Sequence, residues 1–203
     1  MMYLNNMKWS KTPKKISINP ALNICVVKTD IEGNKEWLYG KNQVTNDGDI
    51  YYATRAGTDP SSTTAPDPNF FNAACVLQNP SSADTIGKAD TYSDVSSPIT
   101  TTGAVQNVET NFPTVNDTTT ENTGKDVDAV TYKFTWTTSQ IDTSSGNPIT
   151  GGAIVDQADV TAGVPAAGSK LLTHWNFVSP SSFHKTNTDT LTLYVNHTMS
   201  GQA

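Results

Sequence analysis

Between residues 130 and 137, Val130, Tyr132, Phe134 and Trp136 alternate without a break with Thr131, Lys133, Thr135 and Thr137. A period of two sends successive side chains to opposite faces, so this segment can bury its apolar set only as a β-strand. The pattern returns near the end of the chain, where Leu191, Leu193 and Val195 alternate with Thr190, Thr192, Tyr194 and Asn196. A chain ending on such a strand ties its terminus into a sheet. Thr is the most abundant residue, 31 of 203, beside 17 Ser, 18 Asn and only four Glu. Thr favours the pleated surface of a strand, and Ser and Asn satisfy turns through local hydrogen bonds. The expectation is an all-β body with long polar connections.

The remaining elements follow from the same reading. Residues 22–29 form a strand, 32–35 a turn, and 36–39 the returning strand, with Trp37 and Tyr39 on one face. Strands are also expected over 70–78, over 149–155 with an interruption at Gly151-Gly152, and over 171–178 with Leu171, Trp175 and Phe177 on one side. One short helix fits between Val44 and Gly57. Thr45 would cap it, Asp47 and Asp49 suit its positive end, and Ile50 with one of Tyr51 or Tyr52 should face inward. Residues 89–95 fit a single helical turn. Residues 96–126 hold either short edge strands or an extended excursion, and so long a loop is unusual in a compact domain unless it makes contacts.

At 203 residues the chain suits one domain rather than two. The architecture expected is an antiparallel β-sandwich, of jelly-roll or Ig-like type, over residues 21–203. Asn19-Pro20 marks its boundary with an arm over residues 1–20, since the residue before proline is driven out of helix.

Charged residues make up 16% of the chain against roughly 25% in ordinary soluble domains, so hydroxyls and amides must carry solubility. Residues 1–55 hold eight of 13 basic and five of 19 acidic residues, a net +3, leaving −9 on the remainder. The basic head centres on Lys8, Trp9, Lys11, Lys14 and Lys15, read as an attachment arm for an acidic protein surface. A nucleic-acid interface would need a longer basic stripe with interleaved aromatics. No apolar run is long enough for a signal-peptide core or a bilayer span, so synthesis in the cytoplasm and no membrane partner are expected. Cys25 and Cys75 each lie in an apolar run and read as buried thiols rather than a disulfide.

Chemistry-bearing residues are sparse. His174, His184 and His197 lack the short-spaced ligand pair that zinc requires. Asn46-Asp47-Gly48-Asp49 lacks the far-end glutamate of a calcium loop and is read as helix-capping chemistry. Asp126 and Asp128 could share a face, as a glycosidase pair would, but a solvated loop end explains them more simply. No nucleophile elbow or phosphate-binding glycine loop occurs. No cofactor, metal or catalytic residue is therefore expected. Trp37, Tyr39, Trp136 and Trp175 could stack on a glycan if exposed together, or fill the core of a structural module if buried.

Four segments in order resemble a loose group of tailed-bacteriophage structural proteins. They are residues 42–48 opening a short helix, the apolar strand at 71–77 with the following Ala89-Asp90-Thr91, the alternating strand 130–136 with Ile149-Thr150-Gly151-Gly152-Ala153, and the final strand 191–198. The excursion over 96–126 and the basic arm depart from the group's pattern. The resemblance implies a β-sandwich capsid decoration protein, head or neck fibre, or tail-tip component, contacting other virion proteins and copies of itself. It implies no catalytic residue. A receptor- or glycan-binding tail module that meets a host surface glycan is the alternative.

Overall fold

A computed structural model describes residues 23–58, 71, 74–78 (backbone only), 87–95, 98–101, 103–125, 128–156 and 170–198. The arm over 1–20, the Cys75 side chain and Asp126 lie outside the described residues. The class is as the alternation indicates, a mostly antiparallel β-structure with, among the described residues, a single short α-helix. Its strands are β1 (Ile24–Thr29), β2 (Lys35–Val44), β3 (Ala74–Gln78), β4 (Val105–Gln106), β5 (Thr114–Val115), β6 (Ala129–Trp136), β7 (Gly151–Val155), β8 (Leu171–Ser179) and β9 (Thr190–Thr198). They form one continuous hydrogen-bonded sheet in the order β4-β3-β7-β8-β2-β1-β9-β6-β5. The sheet curls on itself: the Trp136 indole Nε1 in β6 donates to Ala104 O, beside the opposite edge strand β4, at 3.0 Å.

The curl encloses one core. Ile24 and Val26 of β1, Leu38 of β2, Tyr132, Phe134 and Trp136 of β6, Ile154 of β7, Trp175 and Phe177 of β8, and Leu191, Leu193 and Val195 of β9 all point into it. The strict alternation of β6 and β9 is thus the signature of strands with an apolar inner face. Their outer faces are largely covered too, by the chain's own loops. Cys25, Val27, Tyr39 and Tyr194 form a second cluster with Trp37 packed against it. Val95, Val105, Ala153, Val155 and Leu171 form a third.

Leu171 departs from the face expected of it. In the β7–β8 register Ile154 pairs with Thr173 and Val155 with Leu171, leaving Leu172 as an extra residue. A bulge of this kind reverses side-chain parity, so Leu172 enters the main core and Leu171 faces outward.

The first hairpin forms as read, with Gly33 at φ +83° supplying the left-handed turn position that glycine adopts without strain. The helix α1 (Asn46–Gly57) is capped by Thr45, whose hydroxyl accepts from Gly48 N at 3.2 Å. That hydroxyl also donates to Leu171 O, and Thr45 N donates to Leu172 O at 3.0 Å, so the cap is bolted onto the β8 bulge. Gly48 and Tyr51 are the buried helix positions, with Tyr52 packed beside them. Ile50, expected to face inward, is 64% exposed. The inward side follows the three- and four-residue spacing of Gly48, Tyr51 and Tyr52, and Ile50 falls off it. Residues 96–126 contain both forms weighed for them: the edge strands β4 and β5, then an irregular strap over 116–125 lying on the outer face of the sheet.

Candidate functional site

The groups able to do chemistry fall in three places. On the outer face of β8, His174 is buried with Nε2 2.7 Å from Asp90 Oδ2. Asp90 also accepts from Gly87 N at 2.6 Å, and Lys88 of the same turn pairs with Asp49 at 2.5 Å. Asn46 N donates to Lys88 O at 2.8 Å. The 87–90 turn is therefore stitched to both β8 and the start of α1.

Under α1, the Tyr52 hydroxyl lies 2.6 Å from His197 Nδ1 and donates to Tyr132 OH at 3.3 Å. His197 Nε2 has no hydrogen-bond partner among the described residues. Burial pushes the imidazole pKa down to about 3, because the interior disfavours the imidazolium. Burial also raises both tyrosines well above the usual phenol range. The cluster is thus held neutral and joins helix to sheet with aromatic edges, Tyr52 standing at 88° to His197.

Below the β6 and β8 ends, Lys185 is fully buried with Nζ on Thr186 O at 3.0 Å and Ile141 O at 3.3 Å. Desolvation pulls its pKa down, opposed by the charges of Asp189 and Asp142. Its backbone exchanges bonds with Thr143, which ties the 137–149 and 180–189 segments together.

The residues singled out by sequence do not converge. His174 and His197 sit in separate clusters, and His184 is exposed with Nδ1 2.6 Å from Thr143 O. Asp128 is an exposed turn residue at φ +60°. Among the described residues no three His, Cys, Asp or Glu side chains are grouped so as to hold a metal ion, and no helix is long and apolar enough to cross a membrane. The four aromatic residues do not share a platform: Trp136 and Trp175 are wholly inside the main core, whereas Trp37 and Tyr39 lie in the outer cluster under the strap.

That outer cluster carries the most elaborate polar arrangement. Trp37 Nε1 donates to Glu121 O at 3.2 Å, and Tyr39 OH meets Thr123 Oγ1 at 3.0 Å. Cys25 Sγ lies 3.6 Å from both Glu121 O and Thr123 Oγ1, and burial raises its thiol pKa, which makes it inert. Asn122 and Asn196 exchange reciprocal amide bonds of 2.8 and 3.1 Å, and Thr131 donates to Asn196 Oδ1 at 2.9 Å. Sequence reading missed this network because its members lie 65 and 74 positions apart and no local pattern marks either asparagine. Asn196 opens an Asn-His-Thr triplet, yet the side chain is fully buried.

No family model, curated protein or solved structure matches the chain.

Proposed function

We propose that the chain is a non-enzymatic virion structural protein, a capsid decoration or head-appendage subunit made in the host cytoplasm and assembled through repeated contacts with its own copies and other virion proteins. The observation that carries this reading is where the chain places its reactive and aromatic groups. Trp136 and Trp175 are core, and His174, His197 and Lys185 each tie one segment to another. What remains outside is a surface of low charge, rich in hydroxyls and amides, which suits close packing against neighbours better than isolation. The virion setting comes from the resemblance of the four segments to tailed-bacteriophage structural proteins.

Two experiments test it. Cryo-electron microscopy of particles from cells carrying the source genome should place the chain at many equivalent positions on the capsid or an appendage. Its absence from particles, with saturable binding of the purified chain to host surface glycan, would replace this reading with the receptor-binding alternative. Turnover of a polysaccharide or peptidoglycan panel by the purified chain would replace it with a hydrolase.

A further inference from the structure

The strap over 116–125 contains no apolar residue; its sequence is Asn-Asp-Thr-Thr-Thr-Glu-Asn-Thr-Gly-Lys. Yet it lies against Cys25, Trp37 and Tyr39, with Val27 and Tyr194 in the same apolar cluster. A cover over apolar surface is ordinarily anchored by apolar side chains of its own, since burial of such area is the main source of stability. This one is held by polar contacts, with Asn122 its one fully buried residue. We propose that the strap is a releasable cover that opens as a unit while the sheet stays folded, uncovering Cys25 and the aromatic strip of Trp37, Tyr39 and Tyr194.

Two features make it a unit. Its internal bonds are dense: Asp117 accepts from Thr119 N at 3.1 Å, Thr119 Oγ1 at 2.7 Å and Asn122 Nδ2 at 2.9 Å, and Lys125 Nζ donates to Thr119 O at 2.6 Å. Its base is pinched as well, because Asn116 Oδ1 accepts from Asp128 N at 2.8 Å and Asn116 N donates to Ala129 O at 3.1 Å. Surface loops with close ends and internal packing are frequently functional. The latch to the sheet is polar throughout and includes no apolar side chain of the strap. It comprises the Asn122–Asn196 amide pair, the Lys35–Glu121 ion pair at the half-exposed rim, and the contacts of Glu121 O and Thr123 with Trp37, Tyr39 and Cys25. Segments with few apolar anchors open at lower free energy than the core they cover.

Thiol labelling of Cys25 reads the opening directly. In a full-length Cys75→Ser background, a small aromatic disulfide reagent should modify Cys25 far faster than the chain unfolds globally. Asn122→Ala should raise that rate about tenfold, and Glu121→Gln by a few fold, in proportion to the latch bonds each removes. Hydrogen exchange on the unmodified chain gives a second measurement. Amides of residues 116–125 should exchange well before those of β1 and β9. Labelling of Cys25 only at the global unfolding rate, or strap amides exchanging together with the strands, would overturn the proposal. So would an Asn122→Ala substitution that lowers the unfolding free energy without speeding labelling.

Discussion

His197 shows how one buried side chain sets a pH dependence for the whole chain. Its folded pKa is about 3, against 6.5 for an ordinary exposed histidine. Below pH 6.5 the unfolded chain therefore takes up a proton that the folded chain refuses. Stability falls as the pH drops from 6.5 toward 3, by about 1.4 kcal/mol per pH unit where the difference is a full proton, and the penalty levels off below that. Above 6.5 the residue contributes nothing to the slope. The folded-state pKa values of Asp117 and Glu109 are depressed, so these carboxylates act only at lower pH. Urea midpoints measured between pH 6.5 and 4.5 should decline more steeply for the native chain than for His197→Asn. Equal slopes would mean that the imidazole is not held neutral. Thr45 is the second residue whose role is local and measurable. Thr45→Ala removes an N-cap acceptor and a donor to Leu171 O, and equilibrium unfolding should show a loss of about 1–2 kcal/mol. A loss below a few tenths would show that neither bond contributes.

Helix α1 depends on how closely it can approach β8. A Cβ on Gly48 would lie 2.5 Å from Leu172 O and 2.7 Å from Val44 Cγ1. Intrinsic propensity favours Ala over Gly by about 1 kcal/mol inside a helix. Here the clash is with a backbone oxygen that Thr45 N already engages, so it cannot move aside cheaply and steric cost wins. Gly48→Ala should lower stability by about 2 kcal/mol. Separation of α1 from the sheet should also loosen the Tyr52–His197 contact, moving the imidazole pKa back toward its ordinary value in NMR titration. A stabilised variant with an unmoved imidazole would show that the helix has room to shift. The bulge at Leu172 is the other half of this joint, since it presents the carbonyls of Leu171 and Leu172 to Thr45.

For the whole molecule, the division of charge gives a prediction about the N-terminal segment. Residues 1–20 contain Lys8, Lys11, Lys14 and Lys15 and no acidic residue, while the whole chain carries −6. A chain beginning at Ala21 should melt at nearly the same temperature as the full chain and fail to enter particles. Normal incorporation of that truncation would remove the attachment role from the arm. Sedimentation of the full chain should show self-association, and a monodisperse monomer at all concentrations would count against assembly through repeated contacts.

Strand identity at this scale was legible before any tertiary information. Alternation in β6 and β9 is a short-range property, and a residue one position out of phase would put an aromatic in water. The first hairpin, the Thr45 cap and the helical turn at Tyr92–Asp94 were legible for the same reason: their determinants lie within a few residues of one another. Neighbour relations were not. Nothing local says that β1 pairs with β9 or that β2 pairs with β8, because any two apolar-faced strands of similar length can pair and only simultaneous packing of all of them selects one order. The face of Leu171 was decided by a bulge that the β7 register imposes, and the fate of Ile50 by the approach of Gly48 to Leu172. The Tyr52–His197 contact and the Asn122–Asn196 pair bring together residues 145 and 74 positions apart. Periodicity within the chain therefore determined which segments are strands and which of their faces are apolar, whereas the ties between segments arose only when the curled sheet brought distant side chains into one low-dielectric space where each polar group needed a partner.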